Sequence, residues 1–579
     1  MYPYRYLQTA IYRWLPAPAI VLLLTALAVG ATAAHAQTSA DNPAGYEAPS
    51  VGIAPAGIQV RVAPTVFPSE PTAEQMELLR SGLDQEAPPA MPIYKGALPK
   101  PSGEPMRVPG QGPFPTDTAT QAGPADFTVF RSSLLPTLGT KSGIGEPSVD
   151  GSGKMAFVTG NWYAARSANN GGTWGYINPF ANYGFGTSFC CDQLTVYDSG
   201  HDRQLWLRQY SDHLEISNSG GKDLAHWCTY AWRPVNFGLP SNYSFDFNHM
   251  ALSTNFLYVS TNVYGANGFV GALVFRLPLQ EQAACAGLGY SYFGPRNTEF
   301  ANAFVNGAGD TMYWGTNAVA GGGLTSGSGF RIFQWNDDGT TVAWFDRAIT
   351  PYAYMTTNGT QSCGSASGAV LNWCQRTDSR MTGNGYIALP SLAQTYNGVA
   401  SGPANDAVIG FAFNAGPDAS HLRPYIRRVY FRSTDMAYLG RSEIWNNDAA
   451  FLYPDMAPNA QGHVGIVWAW GGGSGTTNFY PGYGFTIDDD ISQAQPWSSS
   501  FVFGAGNACL NSADNLRRWG DYLSIHALSP TKLSWIASGF RMNGATSCNT
   551  GSGVPQVEIK TFIFGRGRDT PAYTRGTTY

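Results

Sequence analysis

Six acidic residues recur in one local setting: Glu146, Asp192, Asp246, Asp378, Asp455 and Asp521. Around them a polar residue opens a short strand, a turn follows and an apolar strand returns, as in Glu146 ahead of 155–159 or Asp521 ahead of 533–536. Asn297-Thr298-Glu299 is a further member of the series. Carboxylates brought close together raise one another's pKa, which suits a protonated general acid beside an ionised partner. The same oxygens would suit Ca²⁺, a hard cation; beyond that ion no cofactor is expected, and no metal site is assigned. The plain structural alternative is that a polar residue at a strand start satisfies turn amides.

Other chemistry lies within a few residues of these acids. His249 follows Asp246 by three positions, as a base, a ligand or a core histidine. Arg380 follows Asp378, and Arg517-Arg518 precede Trp519-Gly520-Asp521-Tyr522. Guanidinium groups bind carboxylates bidentately, so Arg380 and Arg518 fit an acidic ligand. Trp162 and Trp519 are candidate stacking platforms for sugar faces, with packing inside the sheets as the alternative.

Only a fold that gathers remote strand starts would unite these groups. From residue 125 to 566 the chain reads as strand after strand, with Gly, Asn and Asp turns between them. The strand-opening acidic unit repeats about seven times, which implies an all-β fold: a single β-propeller of about seven blades, six to eight. Ligands would bind over one mouth of its central channel.

A second pattern points to the same architecture. Ser167-Ala168-Asn169-Asn170-Gly171-Gly172-Thr173-Trp174 resembles the Asp-box, or BNR, hairpin of sialidase-type propellers, S-x-D-x-G-x-T-W, with Asn169 in the place of Asp. There a short polar side chain bonds the turn backbone, Gly takes positive φ and the aromatic packs back under the blade. Partial copies in the same frame begin at Ser217, Trp335 and Ser433. The two long steps between copies are each about twice a blade of roughly 50 residues, as if one unboxed blade lay within each.

Glu146-Pro147-Ser148-Val149, Gly160-Asn161-Trp162, Phe189-Cys190-Cys191-Asp192-Gln193 and Trp519-Gly520-Asp521-Tyr522 together resemble secreted bacterial sialidase-like proteins, over roughly residues 140–540. The resemblance implies a carbohydrate substrate and gives Tyr522 the role of phenol nucleophile. An Arg-Ile-Pro motif is missing: Arg331-Ile332 is followed by Phe333.

Residues 1–36 read as a secretory signal, with Arg5 and Arg13 ahead of an apolar run and Ala34-His35-Ala36 as the cleavage site. Residues 37–124 are a Pro/Ala/Gly-rich leader or linker, with a short helix expected at 73–83; 567–579 is a polar tail. Charged residues make up 13% of the chain, against about 25% in typical domains. With a net charge of −5 there is no basic footprint for nucleic acid, and after signal cleavage no membrane span is expected. The 8 cysteines of an exported chain read as disulfides, with Cys363/Cys374, Cys509/Cys548 and Cys228/Cys285 paired by nearness. Adjacent Cys190 and Cys191 would need a strained ring or separate partners.

The expectation is therefore a secreted glycoside hydrolase acting on an extracellular glycan, with an acidic sugar as a reasonable ligand. Asp192, Asp521, Tyr522, Glu146, Asp246 and His249 are its catalytic candidates, and Arg380, Arg518, Trp162 and Trp519 its substrate-binding ones. A polysaccharide lyase and a non-catalytic glycan- or protein-binding propeller are the alternatives.

Overall fold

A strand that packs in the middle of a propeller blade has neighbours on both faces, so its sequence need not alternate. Arg203–Tyr210 shows this, with Leu205, Trp206 and Leu207 all buried. The computed structural model describes the strand traces 45–47, 50–54 and 58–61, and then 127–136, 144–181, 189–321, 323–356, 377–389, 406–474, 477–489, 519–543 and 556–570. It also describes 96, 141, 363, 373–374, 395–396, 399–400 and 500–503. All of these belong to one unit, Ala44–Tyr579. The expected signal, the helix at 73–83 and the tail beyond residue 570 lie outside the described residues.

The chain runs as successive four-stranded antiparallel meanders, named here by their first residues. The 148 meander comprises Ser148–Ser152, Met155–Gly160, Tyr163–Ser167 and Gly175–Ile177. Those beginning at Phe189, Ser244, Ala303, Gly385 and Ala450 follow the same order, innermost strand first. The last, Ser524–Ala527, Trp535–Asn543 and Gln556–Arg566, takes its outermost strand from upstream, Phe127–Leu134. Each innermost strand touches the next, and Ser524–Ala527 returns to Ser148–Ser152, which closes the ring.

The fold is thus an all-β propeller, with six blades when each continuous sheet of four or more strands is counted once. The count falls below the expected seven because the 303 and 385 meanders share one nine-stranded sheet. Val305 and Asn306 pair in parallel with Gly385 and Tyr386 there. Three upstream strands each add a fifth strand to one of successive outer edges. Ile58–Arg61 pairs with His226–Trp232, Ser50–Ala54 with Leu288–Arg296, and Gly45–Glu47 with Val342–Ala348. Edges that would otherwise present unpaired amides are covered in this way.

Aromatic side chains fill the gaps between sheets. Phe157 of the 148 meander meets Trp206 and Trp227 of the next at 5.3 and 5.1 Å. Emptying such a site, as in Phe157→Ala, costs about 3–5 kcal/mol.

All four Asp-box-like frames occupy the same place, the turn from third to outermost strand, in the 148, 189, 303 and 385 meanders. At the first, Ser167 Oγ accepts from Gly171 N at 2.8 Å and Asn169 Oδ1 accepts from Thr173 N at 2.7 Å. Gly171 has φ 78°, and Trp174 Nε1 donates to Ser133 Oγ at 2.9 Å. The skipped blade between the copies at Ser217 and Trp335 is the 244 meander. Between Trp335 and Ser433 there is none: the 303 and 385 meanders are consecutive, and a long connection from 349 to 384 fills the step. Cys363 and Cys374 are disulfide-bonded in that connection, and Cys190 is also in a disulfide. Cys228 and Cys285 are thiols; Cys509 and Cys548 lie outside the described residues.

Candidate functional site at the channel mouth

Chain entry into the innermost strands is kinked rather than regular. Glu146, Phe247, Ala301 and Tyr453 have φ of 39°, 58°, 57° and 59°, each at or just before an innermost strand or within it. In the 244 meander the kink is a bulge: register is lost between Asp246 and His249, so three steps on this strand oppose two on its partner. Bulges re-aim side chains next to functional sites, and strain of this kind persists only where the surroundings over-determine it.

Four acids of the series converge on Tyr522, although Asp192 and Asp246 lie inside their innermost strands rather than opening them. Its hydroxyl donates to Asp192 Oδ2 at 3.1 Å. Burial, and then the charges of Asp192, Asp521, Glu146 and Asp246, hold the phenol well above its ordinary pKa. Glu146 Oε1 accepts from the Asp521 amide at 2.8 Å and Oε2 accepts from Asn161 Nδ2 at 2.7 Å. Gly520 makes the first of these contacts feasible: it has φ 144°, and a Cβ there would sit 2.9 Å from Glu146 Cγ. Asp246 Oδ1 accepts from Gln209 Nε2 at 2.8 Å, and Gln209 in turn accepts from Asn248.

His249 completes the group. Its ring lies 5.8 Å from that of Tyr522 and 5.2 Å from that of Phe247. Burial pushes its pKa down to about 3, against the raising influence of Asp521, so the imidazole is neutral at ordinary pH. The ring hydrogen-bonds the Met381 backbone, and Nε2 is buried with no hydrogen-bond partner among the described residues. A narrow cavity of about 30 Å³ on the axis is lined by His249, Thr382, Asp455, Tyr522, Ser524 and His526. The arrangement can hold a phenol proton on a carboxylate and supply a neutral nitrogen base.

The remaining candidates are placed otherwise. Asp455 accepts three backbone amides, from Asn384 (2.7 Å), Met456 (3.0 Å) and Ile525 (2.9 Å), and so ties two innermost strands together. Burial lifts its carboxyl to about 7. Arg380 is no free clamp: its Nε donates to both Asp378 oxygens at 2.9 Å, Nη2 meets Oδ2 at 2.7 Å, and the guanidinium packs over Phe247 and Phe300. Glu299 is buried between Arg296 and Arg331. Neither tryptophan offers a face to a sugar. Trp162 is 3% exposed, packed with Phe189 and Tyr210, and donates to the Cys190 carbonyl at 2.7 Å. Trp519 is 1% exposed and stacks on Phe540 at 4.2 Å. Arg518 lies outside the described residues. Nothing local in the sequence assigns a role to Gln209, Asn161 or the Met381 backbone, since each acts on a residue in another strand or loop.

A larger cavity, about 350 Å³, opens at the other ends of the innermost strands, lined in part by Asp150, Asp198, His526 and Lys532. Its carboxylates are engaged structurally. Asp150 accepts from the amides of Gly151 and Tyr197, and Asp198 pairs with His201 and accepts from Gly200 N. Among the described residues no group of three or more His, Cys, Asp or Glu is arranged to hold a metal ion, so the Ca²⁺ expectation gains no support.

No family model matches the chain, and no curated protein matches it. Similar solved structures include a protein of unknown function from Dyadobacter fermentans DSM 18053 (10% identity, 76% of this chain, 99% of that one, TM-score 0.36). An α-L-arabinofuranosidase from Fusarium graminearum follows at 7% identity, 64% and 91% coverage and TM-score 0.34. An α-L-arabinanase from Penicillium chrysogenum stands at 9%, 63% and 92%, with TM-score 0.26. Similarity this low says nothing of activity, and the propeller rests on strand pairing alone.

Proposed function

We propose that the mouth around Tyr522 is the active site of a secreted glycoside hydrolase acting on an extracellular glycan. The observation that carries the reading is the Tyr522 hydroxyl held on Asp192 among Glu146, Asp246 and Asp521. Tyr522 would attack the anomeric carbon as its proton passes to Asp192, while Asp521 in its acid form would protonate the leaving oxygen; water would then break the glycosyl–Tyr522 bond, giving its proton to Asp521, and the phenol would recover its own from Asp192. Clustered carboxylates would stabilise the oxocarbenium-like charge, the stage at which stabilisation counts. Arg380 is occupied by Asp378 and offers no clamp to an acidic glycan. An acidic substrate would have to rely on Arg518.

His249 favours a second reading. A neutral imidazole with an open Nε2 suits proton abstraction by a polysaccharide lyase, although a lyase also needs a cation for its uronate. Digestion of a glycan library by the mature chain separates the readings. New reducing ends lost in Asp192→Asn and Tyr522→Phe support the hydrolase. An unsaturated product absorbing in the ultraviolet and lost in His249→Ala supports the lyase. Glycan retention without turnover would leave a binding propeller.

The same reading extends to architecture. We infer that the nine-stranded sheet counts as two blades, giving seven, because its halves are complete meanders with separate innermost strands. The turn at Ser167–Trp174 would be a true Asp-box of the sialidase-like type. A proteolytic map and a structure of the mature chain would test both.

A further inference from the structure

Outside the mouth, the polar contact that the proposed function leaves unused lies between the 189 and 244 meanders. Cys228, on the strand His226–Trp232, is 2% exposed; Cys285 ends the short helix Leu279–Ala284 in a left-handed conformation and is half-buried. The two side chains hydrogen-bond to one another. Each is also fixed from the side: Cys228 Sγ contacts Tyr230 OH and Cys285 Sγ contacts Asn218 Oδ1, both at 3.7 Å. Asn218 stands directly opposite Cys228 in the strand register, so the sulfurs meet over the same cross-strand pair.

The backbone carrying Cys285 is docked on the neighbouring meander by three further bonds. Asn218 Nδ2 donates to the Gln282 carbonyl (3.0 Å), Arg203 Nη2 to that of Ala283 (3.1 Å) and Tyr230 OH to that of Ala286 (2.9 Å). Two thiols held together by a pinned backbone lose little freedom on bonding.

We propose that Cys228 and Cys285 are a redox-active pair that closes to a disulfide when the chain meets a disulfide oxidant, stapling the 189 meander to the helix of its neighbour. The half-exposed Cys285 attacks the oxidant RSSR as its thiolate, forming a mixed disulfide and releasing RS⁻. Cys228 then gives up its proton and attacks the Cys285 sulfur, releasing the second RS⁻. Two protein thiols become one disulfide, and RSSR becomes two RSH. The hydrogen bond to Cys285, and then burial, raise the Cys228 thiol, which makes Cys285 the first nucleophile. The leader strand is involved as well, because Gln59 pairs with Cys228 across the outer edge; the bond would anchor the strand on which the leader lies.

The test incubates the full chain with oxidised glutathione, alkylates remaining thiols and maps peptides without reduction. The expected result is a peptide pair linked through Cys228 and Cys285, neither alkylated, with a rise in melting temperature reversed by dithiothreitol. In Cys228→Ser the second step is blocked, so Cys285 should accumulate as a stable glutathione adduct; Cys285→Ser should leave Cys228 unmodified in the folded state. A wild-type chain whose Cys285 holds glutathione as persistently as Cys228→Ser, or whose two thiols stay alkylatable throughout, would overturn the proposal.

Discussion

Asp192, inside the innermost strand that begins at Phe189, and Asp378, ahead of the one that begins at Gly385, belong to the same acidic series, and their surroundings differ completely. Asp192 takes the hydroxyl of Tyr522, whereas Asp378 is gripped by the Arg380 guanidinium two residues along. The contrast holds around the ring. From the 148, 189, 244 and 524 meanders come Glu146, Asp192, Asp246 and Asp521, whose partners among the described residues are amides and a phenol. From the other side come Glu299, Asp378 and Asp455, two neutralised by arginine and one by three backbone amides. One half turns its acids toward the phenol and amides at the candidate site. The other engages its acids in holding the ring together, and position in the repeat does not distinguish them.

The sharpest way to break this division is to remove the Tyr522 hydroxyl. Tyr522→Phe should lower turnover by about 10⁶-fold, the scale of a lost nucleophile. The fold should lose only about 1 kcal/mol for one hydrogen bond. Asp192→Asn should behave alike, and the double variant should be no worse than either alone, as for groups acting as a unit. Reducing-end release and a urea melt on the same samples decide it. A variant that unfolds while keeping its specific activity would move Tyr522 into the structural half.

Arg380→Ala is the counterpart on the other side. It strands Asp378 in a buried site, which costs about 3–5 kcal/mol. Turnover per folded molecule should stay nearly unchanged. Asp378→Asn with Arg380→Ala should recover part of the loss, because no lone charge remains. A large rise in KM at unchanged stability would instead make Arg380 a substrate clamp after all.

Why the sequence separates acids from non-acids but not the two halves follows from distance along the chain. Strand-opening acids and third-to-outermost turns are local signals, and the frames at Ser167, Ser217, Trp335 and Ser433 all fall at such turns. The partners are remote: Tyr522 reaches Asp192 across 330 residues, and the Asp521 amide reaches Glu146 across 375. No local pattern encodes that Asp455 will meet the Ile525 amide. Trp162 and Trp519 mislead for a related reason. A blade is covered on both faces, so a tryptophan next to the channel in sequence is more easily buried between sheets than left at a rim. Blade spacing misleads once, where the connection from 349 to 384 imitates a blade in length.

Acidity provides a finer comparison, between one group of each half. Asp455, lifted to about 7, binds a proton in the folded chain that it would release near 4 when unfolded. Its contribution is thus complete below about 4 and is lost as pH rises through 7. His249, pushed to about 3, refuses a proton that the unfolded chain takes up below about 6.5. Stability from that source is complete above 6.5 and falls as pH drops toward 3. Melts from pH 3 to 8 should show the rising-pH loss vanish in Asp455→Asn and the falling-pH loss vanish in His249→Ala. Either slope surviving its own substitution would assign the titration to another group.

The smallest effect belongs far from the channel, at the hairpin where Asn169 replaces the motif's aspartate. Asn169 Oδ1 accepts the Thr173 amide, and Nδ2 donates to Thr173 Oγ1 at 3.1 Å. In Asn169→Asp the carboxylate keeps the first bond, and the threonine hydroxyl can turn to donate the second. The change should therefore stay within about 0.5 kcal/mol, the usual range for a surface substitution. Asn169→Ala loses both and should cost about 1 kcal/mol, comparable to a missing helix cap. Neither should touch turnover, because the turn joins a third strand to an outermost one. A turnover defect in Asn169→Ala at full stability would mean that the periphery communicates with the mouth, and the separation of scaffold from site would then fail at the place where it looks safest.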